Sequence, residues 1–546
     1  MSVSGIGVSP GVAVGPVRRI EHNAVVEPVP ASPREVFDAL NAVADDLESR
    51  AETIELEVAK DVLSAQAMIA RDPALVEAIA ARLIDDITYP DVRSAIGEAF
   101  AGFRDALLSL GGYFAERVSD LDEIADRTIA VLSGQETGGI RLTEPSVIVA
   151  EDLTPADTAA LDLNFAKALV VAKGGPTSHT AIVARGLGIP AVVGATGVMD
   201  LAEGTTVLVD GREGVVIVDP TESDVSGREV REETLRARAA SVVGPGRLSD
   251  QTPIALMANA GNGNDAVAAA AAGAEGIGLF RTELLFLDRD DEPSVDEQVE
   301  LYTAVFDAMA GRRVVLRTLD AGSDKPVPFI NAIHEDNPAL GVRGWRLTRS
   351  ANEVLNRQLD AVALAAQKSS ADVWVMAPMI DTAAEAAEFA FRARERGIRH
   401  VGVMIETPAA AILADKVLAE VDFGSLGTND LTQYVMAADR LDARLSDLTS
   451  SWHPAVLRAI GMAAGHAKSL ARPLGVCGES AANPQLAAIL VGLGVTSLSM
   501  APSALSEVRG FLAQVDRATC ERVASQVVNL ASAEEAQALA IEFLGE

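Results

Sequence analysis

Beyond Pro253 the chain alternates short apolar runs with longer amphipathic stretches, and roughly 290 residues of strand–helix alternation have few folded solutions. The strand candidates are residues 254–257, 276–280, 314–317, 373–377, 401–405, 424–426 and 474–476, with helical stretches between them. This spacing predicts a (β/α)8 barrel of the TIM type, and in such barrels chemistry sits at the C-terminal ends of the strands. Most of these runs are followed at once by polar residues. Arg281-Thr282-Glu283 follows the second, Arg317-Thr318-Leu319-Asp320 closes the third, and Asp324-Lys325 lies just beyond. Glu406, Asn429-Asp430 and Cys477-Gly478-Glu479 follow later runs.

Glu406 and Asp430 come from consecutive strands, which lie about 4.8 Å apart, so the two carboxylates can share one cation. Two carboxylates that leave positions open for water and a substrate oxygen are a Mg2+ pattern. Arg281, Arg317 and Arg440 could surround a phosphate, whose geometry a guanidinium matches bidentately. Any one of them alone would read as a surface ion pair; with Lys325 and Asn429 on the same rim, a site is the better reading. Cys477 at a strand end can act as a proton donor or acceptor, whereas Cys520 reads as a small buried hydrophobe. His453 and His466 read as structural, and His22, His334 and His400 carry no motif.

A second constraint lies upstream, in Gly174-Gly175-Pro176-Thr177-Ser178-His179-Thr180. An apolar run at 168–172 predicts a strand before it. A short helix at 181–185 and a second strand at 189–193 follow. The glycine pair allows a sharp turn that places His179 at a helix start, where unpaired N–H groups favour negative charge. An imidazole there can attack phosphorus and the resulting anion would be stabilised; this setting outweighs a merely structural histidine. Residues 32–127 read as an all-helical block, opened by the capping box Ser32-Pro33-Arg34-Glu35, with further helices signalled at Asp72-Pro73 and by Val92, Ile96, Phe100, Phe103 and Leu107. Strand signals at 147–149, 207–209 and 215–218 complete a small α/β unit, and the charged stretch 222–238 reads as a solvated helix joining two bodies.

At 546 residues three or four domains are expected. No run of about 18 apolar residues could span a bilayer, and Met1-Ser2-Val3-Ser4 has no signal-peptide character. Two cysteines are too few for a disulfide framework, so a cytoplasmic protein is expected. A net charge of −33 argues against nucleic acid and fits steering of a cationic protein partner.

Together these residues closely resemble enzyme I of the bacterial phosphoenolpyruvate-dependent sugar phosphotransferase system. The resemblance extends over almost the whole chain. It runs through Gly5-Ile6-Gly7-Val8-Ser9-Pro10-Gly11, the 174–180 loop, Gly278-Leu279-Phe280-Arg281-Thr282-Glu283 and Arg317-Thr318-Leu319-Asp320. It continues in Asn337-Pro338-Ala339-Leu340-Gly341, the stretch 427–434 and Gly475-Val476-Cys477-Gly478-Glu479. It implies a swivelling phosphohistidine α/β domain over residues 1–28 and 136–221, interrupted at 29–135 by an all-helical domain that docks the carrier HPr. A linker helix at 222–248 and a phosphoenolpyruvate-binding, dimerising barrel at 249–546 would follow. By motif, His179 would take the phosphoryl group, Glu406 and Asp430 would bind Mg2+, and Arg281, Arg317, Asn429 and Arg440 would hold the phosphate. Arg343 is a weaker ligand candidate. Cys477 would protonate the enolate as pyruvate forms.

Pro176 and Asp122 depart from the familiar pattern, the latter standing where the resemblance would place an arginine; Arg117 and Arg127 are the basic residues nearby. A pyruvate-phosphate dikinase or phosphoenolpyruvate synthase is the nearest alternative, but it needs a large ATP-binding domain, and the helical stretch before His179 has no Gly-rich phosphate loop. A regulator that had lost its chemistry would be expected to lack His179, Glu406, Asp430 or Cys477, and a nitrogen-regulatory relative would carry an extra N-terminal sensor domain.

Overall fold

The computed structural model describes the chain apart from residues 1, 21–31, 54–56, 73–74, 76, 78, 80–95, 105–117, 133–141, 143, 154–156, 158–160, 162–163, 176–177, 287–288, 290, 323–326, 328, 331–334, 441–444, 446–447 and 546. It comprises two units, Met1–Glu233 and Thr234–Glu546.

The first unit is built on an eight-stranded sheet. Its strands are β1 (Ser2–Ser4), β2 (Ile6–Ser9), β3 (Val12–Ile20), β4 (Ser146–Ala150), β5 (Ala166–Val171), β6 (Ala191–Val193), β7 (Thr206–Asp210) and β8 (Val215–Val218). The order is β1-β8-β7-β3-β4-β5-β6-β2, with β3 to β6 parallel and the flanking pairs antiparallel. Side chains of a strand alternate between faces. Thus Ile148 and Ala150 of β4 join Leu169 and Val171 of β5 in one core, while Val147, Val149, Ala168 and Val170 enter the other. Between β3 and β4 the chain runs through α1 (Pro33–Thr53), α2 (Glu57–Ala70) and α3 (Val118–Leu132), packed through Val36, Leu40, Leu75, Ile79, Ile96, Phe100 and Ile124. The expected helical insertion is therefore present; the Asp72-Pro73 helix start and the Val92 and Leu107 positions fall outside or beside the described residues.

Helix α4 (His179–Leu187) crosses from β5 to β6. It outlasts the expected 181–185 span because a glycine at 186 only weakens a helix. The stop comes two residues later, where Gly188 adopts φ 67° and its N–H caps the Ala184 and Arg185 carbonyls. Helix α5 (Glu222–Ser241) occupies the charged stretch. It is less detached than its composition implies: Glu232 and Leu235 are buried. Arg228 and Arg231 also reach the fully buried Asp210 at 3.0 and 2.8 Å.

The second unit is a closed barrel of eight parallel strands. They are β9 (Ala255–Ala260), β10 (Gly276–Arg281), β11 (Arg313–Arg317), β12 (Asp372–Ala377), β13 (His400–Ile405), β14 (Phe423–Leu426), β15 (Leu474–Val476) and β16 (Ser497–Met500). Seven were legible as apolar runs. The eighth, β16, alternates serine with apolar residues and is only four residues long, too short and too polar to stand out from a loop. Inside the barrel Leu279, Val315, Trp374, Met376, Met404, Phe423 and Cys477 form a continuous plug. No described helix is long and apolar enough to cross a membrane.

Candidate active site

In the first unit, β5 ends at Val171 and the chain turns through Gly174, whose φ of 86° suits glycine. An added Cβ there would also come within 3.1 Å of Ser178 Oγ. That hydroxyl caps α4, accepting from the Ala181 N–H at 3.4 Å. His179 is thus the first residue of a capped helix entered by a parallel crossover, the position its sequence setting predicts. The side chains of His179 and Asp122 lie outside the described residues, as do Pro176, Arg117 and Lys325. Arg127 is engaged by Glu123 at 2.8 Å and Asp46 at 3.4 Å.

In the barrel, Arg281, Arg317, Glu406, Asn429, Asp430 and Cys477 lie at or just after the C-terminal ends of β10, β11, β13, β14 and β15. The structure joins several of them through residues whose partners were not legible in sequence. Glu283, in the turn after β10, binds Arg317. Arg317 Nη1 meets Asp320 at 2.9 Å. Asp320 also receives Arg343 Nη2 at 3.0 Å, and Arg343 Nη1 donates to Asp430 at 3.0 Å. Arg440 closes the chain on the other Asp430 oxygen at 3.4 Å. Glu283, Arg317, Asp320, Arg343 and Asp430 are all buried. Burial makes each charge costly alone, and alternation makes the row tolerable. Arg343 is therefore central to the site, tied to both Asp320 and Asp430. The local signal for it is weak, a basic residue before a glycine (Gly344, φ 57°) in an irregular segment.

Glu406 is fully buried at the end of β13. Its Oε1 accepts the Met379 N–H at 2.6 Å, while its Oε2 is buried without a hydrogen-bond partner among the described residues. Burial, then the charges of Asp430 and Asp320, push its pKa far above the carboxylate range, with Arg317 and Arg343 opposing. Four carboxylates here face three guanidiniums of the row, and one carboxylate oxygen is orphaned. That is a set of oxygen donors short of a positive charge, which fits a hard divalent cation. No group of three or more metal-ligating side chains assembles among the described residues, so such an ion would draw its remaining ligands from solvent and substrate. Gly427 leaves the orphaned oxygen its space, since a Cβ there would lie 2.5 Å from Glu406 Oε2.

Arg281 is exposed at the rim with no ion pair among the described residues. Asn429 Oδ1 accepts the Glu479 N–H at 3.2 Å. Cys477 is buried, its Sγ 3.6 Å from the Leu426 carbonyl. Burial pushes the thiol up to about 11, with Ser425 and Arg317 pulling the other way. His453 proves structural, its Nδ1 accepting the Ala455 N–H at the start of a helix.

Three family models match: a PEP-utilising enzyme N-terminal model over 4–117, a mobile-domain model over 142–214 and a PEP-binding-domain model over 236–517. A phosphoenolpyruvate-protein phosphotransferase of Streptomyces coelicolor is 45% identical over 99% of this chain and 98% of its own length. The chain belongs to that family. Phosphoenolpyruvate-protein phosphotransferases of Haloferax volcanii and Bacillus subtilis are 36% and 34% identical, each over 99% of both chains. The protein is thus a PEP-utilising enzyme of the phosphotransferase family, whose members use a metal ion.

Proposed function

We propose that this protein is a phosphoenolpyruvate-protein phosphotransferase that moves the phosphoryl group of phosphoenolpyruvate to His179 and then to a histidine of HPr, as the first step of sugar uptake. The observation that carries the barrel's part is the charge row from Glu283 to Asp430, buried throughout and closed by the half-buried Arg440, beside an orphaned Glu406 oxygen. Glu406 and Asp430 would hold Mg2+, which when bound offsets charge on the substrate's phosphate and carboxylate. Arg281, free at the rim, and Arg317, Asn429 and Arg440 would orient the phosphate by charge-assisted hydrogen bonds. The carboxylates already paired with Arg317 and Arg440 set those guanidiniums in place before substrate arrives, so little ordering remains to be done.

Cys477 keeps its proton at neutral pH and would deliver it to the methylene carbon of the enolate, giving pyruvate. His179, at the N-terminus of α4, would carry the phosphoryl group where the helix favours an anion. The α1–α3 block is the docking surface we assign to HPr, and we assign dimer contacts to the barrel and a cytoplasmic location to the enzyme. Purified protein mixed with Mg2+ and labelled phosphoenolpyruvate should form an acid-labile, base-stable phosphoprotein. His179→Ala should fold yet remain unlabelled; stoichiometric labelling of that variant would refute the assignment.

A further inference from the structure

At the opposite end of the barrel, among the strand starts, a recess of about 370 Å3 including its open mouth is lined by Arg313, Trp374, Phe423 and Ser497 over an apolar floor of Met257 and Val315. Arg313 opens β11, four residues before Arg317, so the two guanidiniums root about 13 Å apart at a strand rise of ~3.3 Å per residue. The recess is distinct from the rim that holds Glu406 and Asp430.

Arg313 is the unusual member. Its guanidinium carbon lies 3.9 Å from the centroid of the Trp374 ring, and its Nε is buried without a hydrogen-bond partner. No carboxylate among the described residues pairs with it. Burial lowers its pKa, with the charge of Asp372 opposing. A partly desolvated cation with an unused donor is costly unless something anionic completes it. The ring beneath it is held firmly: Trp374 Nε1 donates to Asp372 at 2.8 Å, His400 stacks on it at 4.8 Å, and Phe423 packs against it at a tilt, 4.7 Å between centroids. Space is kept open nearby by Gly475, where a Cβ would come within 2.6 Å of Ser497 Oγ.

We propose that this recess binds a small carboxylate, its oxygens on the Arg313 guanidinium and on the Ser497 hydroxyl, its carbon chain against Met257 and Val315. One unpaired cation matches one negative charge, and the planar fork of a guanidinium matches two carboxylate oxygens. A phosphate dianion would lack a second cation there.

The test uses the full-length protein, with tryptophan fluorescence followed during titration with sodium acetate at constant ionic strength in chloride. A saturable change is expected, and Trp374→Phe should remove it. Arg313→Gln should raise the half-saturating acetate concentration about tenfold or more, the worth of one charge-assisted hydrogen bond. Labelling by phosphoenolpyruvate reports that this variant is folded; should it not fold, Ser497→Leu, which fills the recess, must abolish the response instead. Absence of a saturable acetate response overturns the proposal, as does a response that survives both substitutions. Inorganic phosphate titrating as well as acetate overturns the carboxylate assignment.

Discussion

The Cys477 thiol sits among Leu279, Met404 and Phe423, and burial raises its pKa to about 11 from an ordinary value of 9.0. A group whose folded pKa is raised favours the protonated form in the fold. Its contribution to stability is therefore full below the unfolded value and is lost as pH rises from 9 toward 11. We expect no thiolate absorbance from native protein until the pH nears 11, Cys520 being pushed to about 12; a thiolate at pH 8 would exclude Cys477 as an acid. Cys477→Ala should cut pyruvate formation strongly while leaving phosphoenolpyruvate affinity nearly unchanged, the mark of a group used in the transition state. Gly427 makes a complementary residue-scale case. Gly427→Ala sets a Cβ 2.5 Å from Glu406 Oε2, so the carboxylate must shift. Metal affinity should fall at least tenfold with the far-ultraviolet circular dichroism unchanged, whereas unaltered Mg2+ dependence would place the cation elsewhere.

Among the elements, α5 departs furthest from its sequence reading. A helix so rich in Glu and Arg looks solvated throughout, yet its first half is anchored. Asp210, at the end of β7, accepts from Arg228 and Arg231 and from the backbone N–H groups of Arg212 and Glu213. Arg212 in turn holds Glu232 at 2.7 Å. Removing the buried partner of such a cluster costs about 3–5 kcal/mol. Asp210→Asn should therefore lower the urea midpoint of the first unit and expose α5 to protease, while the same substitution at the exposed Asp250 should do neither. Equal stability of the Asp210 variant would show that the helix is held by its few apolar contacts alone. A shorter lesson comes from α4, whose cap at Ser178 and stop at Gly188 are local chemistry and were nearly readable in advance.

For the whole molecule, the division at Glu233 falls inside α5, after the Asp210 anchors. A fragment of residues 1–240 keeps those anchors, the sheet and α4, and lacks the entire barrel site. It should be soluble, exchange phosphoryl groups with phosphorylated HPr, and stay unlabelled with phosphoenolpyruvate and Mg2+; labelling by phosphoenolpyruvate alone would break this division of labour. What the sequence by itself determined was whatever depends on near neighbours. The strand–turn–helix around His179, the alternation that becomes a barrel, and the polar residues following most of the apolar runs are all set within a few positions, because hydropathy period, capping and glycine conformation act locally. What only the tertiary structure decided depends on barrel closure and register. Arg343 meets Asp430 across 87 residues, Asp210 waits for a helix that follows it, β16 is a strand because β9 and β15 flank it, and Arg313 is left unpaired at the barrel's far end. Pairing and burial of charge are properties of the assembled neighbourhood, and no window along the chain contains it.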